Sequence, residues 1–253
     1  MTIPILEFDP TPQALIEPSK VIQPLADMPE HVVLCFFQEA IQHWREQGRL
    51  QVIGQLGSEI GKNPIYRLNH ERGAVAIVHP GVGAPLAVGF LEETIAKGGR
   101  KFIACGGAGA LTEGVHLGHV VVPENAIRDE GTSYHYLPPE ALANAHLDAV
   151  RAIIAILEQH GVPYDLGKTW TTDAIYRETP ERIRKRREQG ALTVEMEASA
   201  FFAVAQFRQV VFGQMLYGGD DVSGDVWDSR GWDNARDIRE KLLQMAIEAV
   251  LLL

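Results

Sequence analysis

Lys101-Phe102-Ile103-Ala104-Cys105-Gly106-Gly107-Ala108-Gly109-Ala110 decides the architecture: an apolar strand from Lys101 to Cys105 runs straight into a glycine-rich segment. In open α/β folds ligands sit beyond the carboxyl ends of strands, and glycine lets backbone N–H groups approach a ligand closely. Outward from this stretch, Ala74 to Val78, His119 to Val122 and Val210 to Leu216 read as further strands, separated by segments of helical period. Leu86, Leu91 and Ile95 predict a helix closed at Gly98-Gly99. The stretch from Glu140 to His160 predicts another, ended by Gly161 and Pro163. Ile238, Leu242, Met245 and Ala249 stand at helical spacing and predict a closing amphipathic helix. Strands alternating with helices give an α/β fold with a central mixed, twisted sheet flanked by helices. No linker, repeat or low-complexity stretch divides the chain, so residues 1–253 are read as a single domain.

The charge balance narrows the partners. With 33 acidic and 23 basic residues the formal net charge is -10, which disfavours nucleic-acid backbones and anionic membranes and favours a small-molecule substrate. The basic run Arg182, Arg184, Lys185, Arg186 and Arg187 is flanked by acids and reads as a solvated helix face. Cys35 and Cys105 are the only cysteines, both in apolar runs, so neither a disulfide framework nor a cysteine zinc site is expected. Met1-Thr2-Ile3-Pro4 opens no basic-then-apolar leader, and a cytoplasmic location is the expectation.

Three segments carry candidate chemistry. Gly106 to Ala110, with Gly81 and Gly83 after the strand ending near Val78, suggests two glycine loops sharing one crevice; ordinary turns would look the same. Glu195-Met196-Glu197 opens the apolar run Ala198 to Phe207, and two carboxylates at the mouth of a buried helix need hydrogen-bond donors. Sugar hydroxyls would serve, although acids also favour helix starts for their own sake. Gly218-Gly219-Asp220-Asp221 follows a strand, where a carboxyl group can act as general acid once burial and an acidic neighbour raise its pKa. Asp220, Asp221 and Asp225 do not have the spacing of a calcium loop, so no metal is expected.

Together these pieces resemble the nucleoside phosphorylase superfamily, which includes uridine phosphorylase, hexameric purine nucleoside phosphorylase and methylthioadenosine nucleosidase. The resemblance runs from about Pro18 to Leu253 and rests on Gly106-Gly107-Ala108-Gly109-Ala110, Leu117-Gly118-His119-Val120-Val121-Val122 and Val194-Glu195-Met196-Glu197-Ala198, with Asp220 lying 23 positions beyond Glu197. Ile127-Arg128 and Glu130-Gly131-Thr132-Ser133-Tyr134-His135-Tyr136 look most like the uridine phosphorylase branch. The resemblance implies cleavage of an N-glycosidic bond with phosphate as co-substrate and no cofactor. It implies that Glu195, Met196 and Glu197 hold the ribose, with Glu197 on the 2′- and 3′-hydroxyls, and that Asp220 protonates purine N7. Uridine phosphorylases lack that aspartate, so a purine is favoured. Ile175 and Tyr176 would line the base, while the glutamine and arginine that read uracil have no clear counterparts.

The phosphate half departs from the pattern. Ile16-Glu17-Pro18-Ser19-Lys20 stands where phosphorylases begin with Gly-Asp-Pro-x-Arg, leaving Lys20 as the cation. The second phosphate arginine falls on Ala104 and the hydroxyl residue after it on Gly107, and the partner-subunit arginine falls near Ile60 or Gly61, with Lys62 and Arg67 as stand-ins. A nucleosidase using water is therefore the alternative, with Glu7, Glu17 and Glu113 as candidates to activate it; a non-catalytic nucleoside-binding protein is the third reading. The resemblance also implies a homo-oligomer, a dimer or trimer of dimers.

Overall fold

Strand β5 (Lys101–Ala110) does not stop at Cys105. The glycine-rich segment expected as a loop is the second half of the strand, and the reason is crowding. A side chain at Gly106 would meet the Phe36 ring at 3.0 Å, one at Gly107 the Tyr217 ring at 3.1 Å and one at Gly109 the Val194 side chain at 2.9 Å. Glycine lets rings and strands close onto β5 from several sides. The second expected loop, Gly218 to Asp221, is likewise the end of β10 (Val211–Asp221). A Cβ on Gly218 would lie 2.6 Å from the His116 carbonyl oxygen.

A computed structural model describes residues 3–253, so Met1 and Thr2 of the N-terminal reading lie outside the described residues. The other strands are β1 (His31–Cys35), β2 (Gln51–Ser58), β3 (Gly61–His70), β4 (Gly73–Val78), β6 (Val120–Asp129), β7 (Ala143–Asn144), β8 (Tyr164–Thr172) and β9 (Ala191–Glu195). The helices are α1 (Pro18–Val21), α2 (Gln38–Glu46), α3 (Ala84–Lys97), α4 (Leu147–Gln159), α5 (Pro180–Glu188), α6 (Ala198–Arg208) and α7 (Arg236–Val250).

Five strands close into a ring. β5 pairs parallel with β10, and β10 pairs antiparallel with β6 at Val120 and Val121. β6 and β8 are parallel, β8 and β9 are parallel, and β9 returns antiparallel to β5 at Gly109 and Ala110. The first half of β5 also pairs with β1, from which an open wing continues through β4, β3 and β2. The sheet is mixed and flanked by helices, as the alternation of elements predicts.

Helices cover both faces. Phe212 of β10 packs on Phe201 and Phe202 of α6, at 5.0 and 6.1 Å between ring centroids, whereas a Cβ on the adjacent Gly213 would touch Ala149 of α4 at 2.7 Å. Successive strand residues point to opposite faces, so α6 and α4 lie on opposite sides. α6 is buried from Ala198 to Ala205, which explains its all-round apolar sequence. Each buried phenylalanine contributes about 1.5–3 kcal/mol. α4 begins at Leu147, later than the predicted Glu140, because Ala143 and Asn144 pair with β6 as β7 and His146 caps the helix by accepting the Asp148 N–H at 3.2 Å. Leu142, ahead of the helix, is exposed.

Candidate active site

The carboxyl ends of β4, β5, β9 and β10 converge on one crevice. Glu195 ends β9 and its carboxylate is fully employed by the chain itself. Oε2 accepts the Glu197 N–H at 2.7 Å and the Ala198 N–H at 2.6 Å, and Oε1 accepts the Thr171 hydroxyl at 2.6 Å. An acid at the positive end of a helix takes up amides that have no partner within the helix. Behind it Glu130, also buried, accepts the Ser199 hydroxyl at 2.9 Å. Glu195 therefore fixes the backbone of Glu197 and has no oxygen left over for a ligand.

Glu197 precedes α6, is 5% exposed, and accepts the Gly83 N–H at 2.6 Å. Gly83 caps α3 with φ +88°, a left-handed backbone that favours glycine. The segment bearing Gly83 and the acidic run thus meet directly, a contact between parts of the chain 114 positions apart. Among the described residues no cation pairs with Glu197. Burial first, then the neighbouring Glu195 charge, push its carboxyl up to about 8; burial pushes Glu195 up to about 7 against the donors that favour its charge. Met196 between them is half-buried.

These displaced carboxyls make stability depend on pH. Their folded pKa values lie above the ordinary 4.5, so the unfolded chain ionises first as pH rises. Stability is full below about pH 4.5 and declines up to about pH 8, by about 1.4 kcal/mol per pH unit for each proton held only by the folded chain. Urea unfolding should show a lower midpoint at pH 8 than at pH 5, and Glu197→Gln should flatten the difference. Equal slopes for the two proteins would contradict this assignment.

Asp220 lies at the far end of β10 and is half-buried. Gly109 is the point where its strand and β9 meet, since a Cβ there would be 2.9 Å from Val194 and 3.5 Å from Asp220 Oδ1. Asp220 Oδ2 accepts the Trp227 indole N–H at 2.7 Å. Asp221 faces Arg230 and the Ser223 N–H, not the crevice. Burial first, then the charge of Asp220, push the Glu178 carboxyl up to about 7.

Other expected residues are placed differently. Ile175 and Tyr176 form a 3-10 turn after β8 and are 54% and 95% exposed, so Tyr176 stands out into solvent in the isolated chain. Gly107 is a strand residue beneath the Tyr217 ring. Lys20 is exposed on α1, and its N–H is held by the Glu17 carbonyl. The Glu17 carboxylate pairs at 2.9 Å with Arg208, the last residue of α6, whose other partner is Glu92. The 11 residues of α6 put that end roughly 16 Å from Glu197. Glu17 therefore serves as an internal anchor, and Lys20 follows it on the exposed side of α1. Arg67 is spent on Asn69 and the Asp27 carbonyl, and Lys62 is exposed on the β2–β3 hairpin. The Arg128 guanidinium is consumed by Ser133 and the carbonyls of Leu137, Pro138 and Ala141. Helix α5 buries no residue, as its basic run predicts. The sequence reading missed Glu178 and Trp227, which no spacing marks.

The sequence model described as the phosphorylase superfamily matches residues 30–251. The chain is 27% identical to a guanosine phosphorylase of Halorubrum lacusprofundi over 217 residues, covering 81% of this chain and 90% of that one. A uridine phosphorylase structure from Vibrio fischeri superposes with a TM-score of 0.74 at 22% identity, covering 91% of this chain and 94% of that one. An AMP nucleosidase structure from Bacteroides thetaiotaomicron superposes at 0.72 with 23% identity, over 89% and 88%. At these identities the two structures speak to the fold. No helix among the described residues is long and apolar enough to cross a membrane.

Proposed function

The chain belongs to the phosphorylase superfamily, and from that premise we propose that it cleaves the N-glycosidic bond of a purine nucleoside, with phosphate as acceptor, giving ribose 1-phosphate and free base. The observation that carries this is Glu197, a buried carboxyl anchored by the Gly83 amide in a crevice that Asp220 also reaches. Glu197 accepts the ribose 2′- and 3′-hydroxyls, Met196 packs on the sugar, and Glu195 holds both in place. As the bond to C1′ lengthens, positive charge grows on the sugar and the electron pair passes to the base. Glu197 gains its charge most readily at that moment, because hydroxyl donors and the growing cation offset its burial, so it favours the transition state over the ground state. Asp220 supplies the proton to N7, which makes the base a better leaving group. Ile175 and Tyr176 border the base. No cofactor is invoked. A cytoplasmic homo-oligomer, a dimer or trimer of dimers, is part of the same reading.

Water as acceptor is the second reading, and one observation favours it. The segment after β1 offers aromatic rings: Phe36 lies on Gly106, and Phe37 lies 5.8 Å from Tyr217 between ring centroids. Arg239, the guanidinium behind Tyr217, is engaged by the Tyr217 hydroxyl, the Trp232 carbonyl and Glu39. Incubation with purine and pyrimidine nucleosides, with and without phosphate, separates the readings by product. Phosphate-dependent ribose 1-phosphate from a purine is the expected result; free ribose without phosphate assigns the acceptor to water. Binding without turnover would sink the enzymatic reading altogether.

A further inference from the structure

Trp227 has no task in that scheme, yet its indole N–H donates to Asp220 Oδ2 at 2.7 Å. The residue is 61% exposed, so the core does not hold it there. What places it is the hairpin that follows β10. Asp221 and Asp228 exchange backbone hydrogen bonds, each N–H donating to the other's carbonyl, at 2.7 and 3.0 Å. Side chains alternate along paired strands, so Asp221 and Asp228 point to one face while Asp220 and Trp227 point to the other. On that second face the two stand at diagonal positions, a separation that an aromatic side chain spans.

The hairpin is pinned by contacts that do not involve the indole. Arg230 pairs with the Asp221 carboxylate and donates to the Val115 carbonyl at 2.8 Å, and Asp228 Oδ1 accepts the Arg230 backbone N–H at 2.9 Å. The Val222 N–H donates to the Ala110 carbonyl at 3.1 Å, and the Arg187 guanidinium to the Ser223 carbonyl at 3.0 Å. The backbone that carries Trp227 is therefore tied to the end of β5 and to α5. Asp220 Oδ1 is the oxygen nearer to β5, 3.5 Å from where a Cβ on Gly109 would lie, against 3.8 Å for Oδ2. Among the described residues nothing donates to Oδ1. With Oδ2 taken by the indole, Oδ1 is the oxygen left for a ligand, on the side where Val194 leads into Glu195.

We propose that Trp227 is a positioning residue for proton delivery: its indole N–H fixes the Asp220 carboxyl with Oδ1 toward the base and grips Oδ2 more tightly as the proton leaves. The proposal rests on the glycosidic-cleavage reading. The C1′–N bond breaks, its electrons pass into the purine, and N7 takes the proton from Oδ1, leaving a carboxylate. C1′ forms its new bond to an oxygen of phosphate or water, and Asp220 regains a proton from solvent before the next turnover. A hydrogen bond to a charged acceptor is roughly twice as strong as one between neutral groups, so the indole stabilises Asp220 after proton transfer more than before it. Trp227 acts on the reaction through Asp220.

The test compares kcat and KM for wild type, Trp227→Phe, Asp220→Asn and the double variant, on a purine nucleoside and on its 7-methyl derivative, whose base is already cationic and needs no proton. Phenylalanine keeps an aromatic ring and removes the N–H. For Trp227→Phe, kcat on the ordinary nucleoside should fall about 5- to 30-fold, the loss of one hydrogen bond to a charged group at a partly solvated site, with KM within about twofold. The 7-methyl substrate should be cleaved within about twofold of wild type. In the Asp220→Asn background the same substitution should cost less than about twofold, because the proton it assists is already gone. An unchanged kcat, a change confined to KM, equal losses on both substrates, or losses that multiply in the double variant overturn the proposal while leaving the cleavage reading in place. A wild type that cleaves neither nucleoside overturns the cleavage reading itself, and this proposal with it.

Discussion

Glu197→Gln is expected to lower kcat/KM for a ribonucleoside by about 10²–10³-fold. The carboxylate can take a hydroxyl on each oxygen, and one oxygen already accepts the Gly83 N–H at 2.6 Å. An amide offers a single acceptor oxygen. If that oxygen keeps Gly83, the NH2 faces the sugar and can only donate; if it turns, the NH2 faces the Gly83 N–H donor. Either way a buried polar group is left without its partner, which costs about 1–3 kcal/mol per group. The charge that favours the oxocarbenium-like transition state is lost as well. The diagnostic readout is the ratio of ribo- to 2′-deoxyribonucleoside rates. Wild type should prefer the ribose, and the variant should lose most of that preference. Parallel losses on both sugars would mean that Glu197 supports the fold and does not clamp the 2′-hydroxyl.

Asp220→Asn is expected to reduce kcat for a purine nucleoside at pH 7 by about 10²–10⁴-fold, the range of a lost general acid, with little change in KM. The substitution keeps the shape and leaves an oxygen to accept the Trp227 indole N–H, so the loop should hold its position. The missing element is the proton. A 7-methylated nucleoside should therefore escape most of the loss, and so should a ribosyl ether of an acidic phenol, whose leaving group needs no protonation. Unchanged purine turnover would remove Asp220 from the reaction.

The sheet and its helices were legible because apolar period is a property of local sequence. The four predicted strands all occur, and the closing helix spans Arg236–Val250 with Leu242, Met245 and Ala249 buried. Glycines were the main source of error. At Gly106 and Gly109 the sequence carries the same letters as a turn, but what selects glycine there is the approach of Phe36 and Val194, which belong to distant parts of the chain. Local reasoning sees flexibility where the fold uses the absence of a side chain. The start of α4 was misplaced for a related reason: two residues of its apolar run are claimed by pairing to β6, a contact no helical period records.

The site divided in the same way. Glu195, Glu197 and Asp220 stand out as acids against apolar or glycine neighbours, and their strands deliver them to one crevice. Lys20 was assigned by position in a motif, and what that position does not record is that Glu17, three residues before it, turns inward to Arg208. Glu178 carries no local mark at all; its character comes from burial and from a carboxyl 42 positions away in the chain.

The ring of five strands has a bearing on self-association. A sheet that closes on itself offers no row of free N–H and C=O groups for another chain to extend, so that half is protected against edge-to-edge aggregation by topology alone. The open wing has no such protection, and its outer strand β2 ends the sheet. There the chain relies on composition: Gln51, Gln55 and Ser58 are exposed, and the register against β3 slips between Val52 and Gly54, which bends the strand. Solubility is guarded by geometry on one side of β5 and by sequence on the other.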